Sequence, residues 1–267
     1  MNKTQKEIIK ELKKAAKKLS KSPTRREIPK LGYQIYKHFS SFNRAKQLAG
    51  LSINEKNRSI PKSSYRYTKD LAKIVSYLMF DGHLYKRLTG FKAYSKNIKE
   101  LEKFEKMVKR QFKIKAQYKY NHAGSKKQTH VIEFFNSKAC RFLHKIGTPK
   151  GDKSLTKYGV PLWIKNNKEF SREYLKIAYL CEGCWKEKDR LNPRIKFNMH
   201  KSNNILDNGR LFLQDIRNML RKFNIETTSI GTYKGKLRKD KIQTSELRFR
   251  VLTKDNQKFI NEIGWFK

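Results

Sequence analysis

Two carboxylates stand where chemistry could begin. Asp81 follows the apolar run from Asp70 to Phe80, and Glu182 follows the run from Tyr174 to Cys181. Each acid precedes a glycine, Gly82 or Gly183, and the two acids lie 101 residues apart. A helix that is apolar all round is buried. If the two helices pack side by side about a pseudo-twofold axis, both carboxylates meet at one end of it. They would repel there, and the carboxyl ends of the helices add partial negative charge. A divalent cation resolves that conflict. Hard oxygen ligands suit Mg²⁺, with Mn²⁺ as a substitute, and Mg²⁺ takes one or two carboxylates plus phosphate and water. Such ions would activate water and stabilise the attacking and leaving oxygens of a phosphodiester cleavage. Either acid alone reads as a helix end; the pair at matching places points to catalysis. The glycines are expected to cap the helices in the left-handed conformation.

The elements that must position these acids occur twice. After each apolar helix comes a strand region. In the second pass Ile195, Phe197 and Met199 alternate with Arg194, Lys196, Asn198 and His200; in the first, Phe91 and Ala93 alternate with Lys92, Tyr94 and Lys96. A helix follows in each, Ile98 to Phe112 and Ile205 to Phe223. Two further strands pair Lys115, Gln117, Lys119 and Asn121 against Ile114, Ala116, Tyr118 and Tyr120, and Arg248 and Arg250 against Leu247, Phe249 and Val251. Each pass closes on a short helix, ending at Gly147 or Gly264. The period of two predicts half-buried antiparallel sheets, apolar beneath and basic or amide-bearing above. Such a surface can lie against DNA and reach base edges in the major groove.

Residues 1–66 carry 18 Lys/Arg against 4 Asp/Glu. Ile8, Ile9, Leu12, Ala15, Ala16 and Leu19 predict a helix over 4–19. Thr24 and Glu27 have capping-box spacing and predict a second start. A third helix should hold Ile35, Tyr36 and Phe39, and a fourth should begin near Asn43 and stop at Gly50. Several short helices on a basic background suggest a helix-turn-helix-like module over 1–51, with Arg25, Arg26 and Arg44 as DNA contacts. Polar residues 52–66 read as a linker, followed by subdomains over 67–158 and 159–267.

Composition agrees. The 267 residues hold 64 Lys/Arg and 23 Asp/Glu, a formal net charge of +41, and nucleic acid is the natural partner for such a chain. No run of about 18 apolar residues occurs, which argues against a membrane span. The 12% aromatic content, recurring with periodicity, argues against disorder. Three cysteines suit a reducing cytoplasm, and Cys181 and Cys184 lack the second pair a structural zinc needs.

Two resemblances add to this reading. "SPTRREI" and "SSFNRAKQLAGL", within Ile8 to Leu51, resemble the helical repeat that accompanies homing endonucleases. "IVSYLMFDG" (74–82) and "LKIAYLCEG" (175–183), with "IGTPKGDKS" and "VPLWI" between them, resemble a single-chain LAGLIDADG homing endonuclease of the archaeal, intein-like branch. The resemblance implies an α+β fold, two αββαββα units forming a basic β-saddle. It implies Mg²⁺-dependent cleavage of double-stranded DNA at a long target site by a monomer with no obligate protein partner. The implied setting is the cytoplasm or nucleoid of a prokaryote, an archaeon. Asp81 and Glu182 fall on the family's metal-binding acids. Ser76 and Ile177 fall where its two helices touch. Lys138 and Lys254, after the last strand of each half, are expected to stabilise phosphate charge. An RNA maturase for group I introns and a DNA-binding regulator without catalysis remain open on the same scaffold.

Overall fold

In the computed structural model of the protein, residues 2–25, 27–52, 59–121, 129–186 and 194–264 are described, leaving aside the side chains of Trp185 and Lys186. The chain divides into two compact units, Met1–Lys56 and Asn57–Lys267.

The first unit holds α1 (Lys3–Leu19), α2 (Pro29–His38) and α3 (Phe42–Leu48). A capping box between Asn2 and Gln5 starts α1, whose apolar stripe of Ile8, Ile9, Leu12 and Ala16 is buried. Ile35, Phe39, Ala45 and Ala49 complete this core with Ile8, Ile9 and Leu12. Among its described residues three helices form rather than four. The Glu27 carboxylate accepts hydrogen bonds from the Thr24 amide and hydroxyl and pairs with Lys21, but this stabilises a turn. The next helix opens at Pro29, whose fixed φ suits a first turn. Ser41, not Asn43, caps α3 by accepting from the Arg44 amide. Gly50 takes a φ of 66°, the left-handed conformation expected of it.

The second unit begins earlier than 67. Ile60 is buried, residues 62–65 form a 3-10 turn, and Gln111 donates to the Ser64 and Arg66 carbonyls. The expected linker 52–66 therefore gives up its last residues to the unit that follows.

In that unit α4 (Lys69–Met79), β1 (Gly82–Leu84), β2 (Phe91–Ser95), α5 (Ile98–Phe112), β3 (Tyr118–Asn121), β4 (His130–Phe134) and α6 (Ser137–Lys145) make one αββαββα set. After the short α7 (Leu162–Lys165), the set recurs as α8 (Lys168–Glu182), β5 (Gly183–Lys186), β6 (Arg194–Ser202), α9 (Leu206–Arg221), β7 (Gly231–Leu237), β8 (Gln243–Arg250) and α10 (Asn256–Glu262). The strand orders match, β1-β2-β4-β3 and β5-β6-β8-β7, and adjacent strands in each are antiparallel. The fold is α+β, as the repeat predicts. No helix among the described residues is long and apolar enough to cross a membrane.

The two signature helices run alongside each other in parallel. Lys69 pairs with Glu169 and Lys73 with Glu173, so each bridge joins residues one hundred apart. The first pair is exposed, and the second draws on the buried Glu173. Ser76, fully buried, donates its hydroxyl to the Tyr174 carbonyl at 2.8 Å, which satisfies the only polar side chain among the buried residues Leu71–Met79 other than the Tyr77 phenol. Ile177 is also buried in the shared core. Phe80, just past α4, sets its ring against Tyr174, Phe197 and Phe212 of the second half.

The expected left-handed caps do not form. Gly183 has φ −70° and ψ 139°, and Gly82 has no positive φ. Both glycines serve close approach instead: Gly183 opens β5 directly after α8, and Gly82 opens β1 after only Phe80 and Asp81. A Cβ at Gly82 would lie 2.8 Å from the Tyr77 carbonyl oxygen and the Leu78 Cα, and one at Gly183 would overlap the Tyr179 carbonyl.

Candidate metal and nucleic-acid site

The parallel packing of α4 and α8 brings their acid ends together. The Cys181 thiol hydrogen-bonds the Asp81 carboxylate, so the residue before Glu182 touches the first acid. Glu182 is half-buried, and its carboxyl is pushed up to about 7, first by withdrawal from water and then by the negative charge of Asp81. Asp81 is exposed at the surface, yet the protein packed around its carboxyl raises it too, against the pull of Lys153. Two carboxylates short of compensating charge are the donor set a hard divalent cation seeks. Among the described residues no group of three or more His, Cys, Asp or Glu converges in a way that could hold a metal ion.

Between α6 and α8 the chain returns past this point. The Lys153 ammonium donates to the carbonyls of Phe80 and Gly82 (2.8 Å to the latter) and lies 3.5 Å from that of Leu78. Burial lowers it to about 8, opposed by Glu182 and Asp81. An open cavity of about 480 Å³ is lined by Lys153, Glu182, His83, His200, Asp152 and Phe80 among others. Burial, Lys92 and Lys153 together lower the His83 imidazole, favouring its neutral form.

Lys153 was not among the residues singled out from the sequence. It lies in "IGTPKGDKS", a segment that carried the resemblance, but as one of 64 basic residues it gave no signal of its own. Lys138, early in α6, and Lys254, in a 3-10 turn after β8, are both exposed. Neither lines the cavity beside Glu182.

The sheet faces away from the helices follow from the register. In the second sheet Lys196 lies opposite Arg250, Asn198 opposite Arg248 and His200 opposite Glu246, so these residues and Arg194 share one face, as expected. The Arg248 guanidinium stacks 3.5 Å over the Tyr233 ring. Arg194, Lys196, Arg248, Arg250 and Tyr233 line a groove of about 370 Å³.

The first sheet departs from expectation. Lys92 and Tyr94 do lie on the face away from the helices, the Lys92 ammonium over the rings of Tyr85 and Tyr94, and Lys96 follows β2 in an exposed turn. Lys115 and Gln117 precede β3 and are not in a strand; the Gln117 side chain accepts from the Phe135 amide. Lys119 is on the opposite face, with its ammonium 2.6 Å from Glu105 of α5. Tyr118, opposite Glu133, and Tyr120, opposite Val131, occupy the outer face instead. In the first unit Arg25 lies over the Tyr36 ring and Arg44 is exposed, while Arg26 falls outside the described residues.

Residues 3–52 match the homing endonuclease associated repeat family, as the N-terminal resemblance implied. Curated proteins sharing sequence with the chain include the tRNA-splicing ligase RtcB of Methanopyrus kandleri, 28% identical over 73% of this chain and 20% of that protein. Another is the DNA-directed RNA polymerase subunit Rpo1N of Methanocaldococcus jannaschii, 27% identical over 80% of this chain and 17% of that protein. The chain thus spans at most 20% of these two relatives. Solved structures similar to it include the homing endonuclease I-DmoI in complex with DNA and Ca, with TM-score 0.46, 12% identity, and coverage of 76% of this chain and 91% of that one. The homing endonuclease I-WcaI bound to its DNA recognition sequence gives TM-score 0.48, 14% identity, and coverage of 83% and 92%. The N-terminal LAGLIDADG domain of DUF199/WhiA gives 0.46, 14%, 79% and 89%.

Proposed function

We propose that the chain is a site-specific, double-stranded DNA endonuclease of the LAGLIDADG homing type. It acts as a monomer on a long target, and its first unit is an auxiliary DNA-binding module. The observation that carries this reading is the meeting of Asp81 and Glu182 at the paired ends of α4 and α8, with the Cys181 thiol on Asp81 and the negative charge of Asp81 raising Glu182.

Asp81 and Glu182 would hold Mg²⁺, or Mn²⁺ in its place. A metal bound there supplies an activated water and offsets charge on the attacking and leaving oxygens. The Cys181 thiol fixes the orientation of Asp81. His83, favoured in its neutral form on the same cavity as Glu182, is placed to accept a proton. Arg194, Lys196, Arg248 and Arg250 offer charge to phosphates and forked donors to guanine edges. Asn198 and His200 extend that face, Lys92 stands on the outer face of the first sheet, and Arg25, Arg26 and Arg44 serve the auxiliary module. Lys138 and Lys254 remain proposed phosphate contacts. The setting that suits this activity is a prokaryotic cytoplasm or nucleoid.

Asp81→Asn and Glu182→Gln should each abolish cleavage of a cognate duplex in Mg²⁺ while leaving duplex binding within about threefold, a difference of less than 1 kcal/mol. Cleavage by both variants would refute the reading. Loss of binding together with cleavage would place the acids in the fold rather than in the reaction.

A further inference from the structure

We propose that Glu133 is a specificity-determining residue: the acceptor through which the first sheet reads the 4-amino group of a cytosine in the major groove of the target. The inference rests on the reading of the chain as a site-specific DNA endonuclease. It goes beyond that reading by naming one base and the side chain that selects it.

The duplication singles this residue out. Gly82 lies opposite Ala93, and Ala93 opposite Ile132; at the same place in the second half Gly183 lies opposite Phe197, and Phe197 opposite Phe249. One step further along β4 and β8 stand Glu133 and Arg250, facing Lys92 and Lys196. The lysine is the same in both halves, while its partner changes from a cation to an anion. Tyr118 lies opposite Glu133 on its other side, and β4 is an inner strand, so the acid stands within the outer face rather than at its rim.

The surroundings leave that carboxylate without a partner. Glu133 is buried, and among the described residues no donor hydrogen-bonds its carboxylate and no Lys or Arg pairs with it. Lys92 turns its ammonium over the rings of Tyr85 and Tyr94 instead. Withdrawal from water alone raises the Glu133 carboxyl. The acid on the outer face of the second sheet differs, because Glu246 has the Arg248 guanidinium 3.9 Å away.

An acceptor so placed loses its remaining water when a duplex covers the face, and only an N–H donor in the groove offsets that cost. It also repels phosphate, so it favours no binding that ignores sequence. In the major groove guanine and thymine present acceptors, whereas cytosine presents its 4-amino donor, for which a glutamate is the matching side chain. Adenine has an amino donor too, but sets the N7 acceptor beside it, and an ionised carboxylate has no hydrogen to give. Glutamine supplies both groups, which makes it the diagnostic substitution.

The test is selection from a random duplex library by the full chain, without divalent ions so that no strand is cut, for the natural protein, Glu133→Gln and Glu133→Ala. The natural protein should select a sequence with one cytosine whose replacement by thymine weakens binding about tenfold. Glu133→Gln should prefer adenine at that position and Glu133→Ala no base, each with its preferences elsewhere unchanged. A residue that only shapes the sheet would weaken every position together. The natural protein should also bind about tenfold more weakly when that cytosine is replaced by 2-pyrimidinone, which lacks the amino group, so the outcome does not depend on any variant folding. Natural preferences retained at every position by Glu133→Ala, a uniform loss across positions, or indifference to the missing amino group would overturn the inference and leave the site-specific reading intact. Duplex binding by the natural protein with no sequence selected would overturn both.

Discussion

The two sheets of the second unit share strand order and connectivity but present different chemistry on their outer faces. The second carries Arg194, Lys196, Arg248 and Arg250 against one acid, Glu246. The first carries Lys92, Tyr94, Tyr118 and Tyr120 around a buried Val131 and Glu133. A duplicated backbone fixes where side chains can stand, not which ones stand there. Two halves of one scaffold can therefore meet a duplex in different ways, one by charge and forked donors, the other by aromatic surface. The helix ends differ as well. Phe80 is driven into the aromatic core of the second half, whereas Cys181, at the corresponding place, turns its thiol to Asp81.

These differences can be broken or sharpened by matched substitutions in the two halves. The largest effect is expected at the helix-to-strand junctions. Gly183→Ala should cost about 3 kcal/mol and Gly82→Ala about 1 kcal/mol, because the added carbon collides harder with Tyr179 than with Tyr77 and Leu78. Chemical denaturation checks the order, and a larger loss at Gly82 would mean the halves relax differently from their close contacts. Next, Arg248→Ala with Arg250→Ala should weaken duplex binding by about a hundredfold and flatten its salt dependence by roughly two phosphate contacts. Tyr118→Ala with Tyr120→Ala should weaken it less than about tenfold and leave the salt slope unchanged. Equal slopes for the two pairs would erase the contrast.

A separate effect concerns pH. Glu182 holds its proton up to about 7, above the ordinary carboxylate range, so a proton competes with the metal below that point. Mg²⁺ affinity should therefore fall as pH drops from 8 to 6, by about tenfold, and metal-free stability should gain over the same descent. Glu182→Gln should remove this dependence. A pH-independent affinity in the natural protein would mean that Glu182 is not a ligand.

Much of this was legible in the chain itself, and the failures have physical reasons. The span of α5 was read to its ends because Asn97 caps it and its apolar period is unbroken. The alternation of β6 was read correctly because Ile195, Phe197 and Met199 face a core, which fixes the parity. In β3 all four residues are exposed, so no buried face fixes the parity, and the alternation alone puts Lys119 on the side opposite to the one it takes. The junction glycines were noticed, but their spacing could not distinguish a left-handed cap from a close approach of backbone. Lys153 reaches carbonyls 71 to 75 residues away, a contact that exists only once the chain has folded back across α4.

The central claim is that Asp81 and Glu182 act as one site, and a crystal of the chain with duplex DNA and Mn²⁺ tests it most directly. The account predicts anomalous scattering from Mn²⁺ within coordination distance of a carboxylate oxygen of each residue, about 2.0–2.3 Å, in the range of hard divalent-ion contacts. Ordered Mn²⁺ elsewhere on the DNA, with the two carboxylates turned away from each other and from any ion, would contradict it.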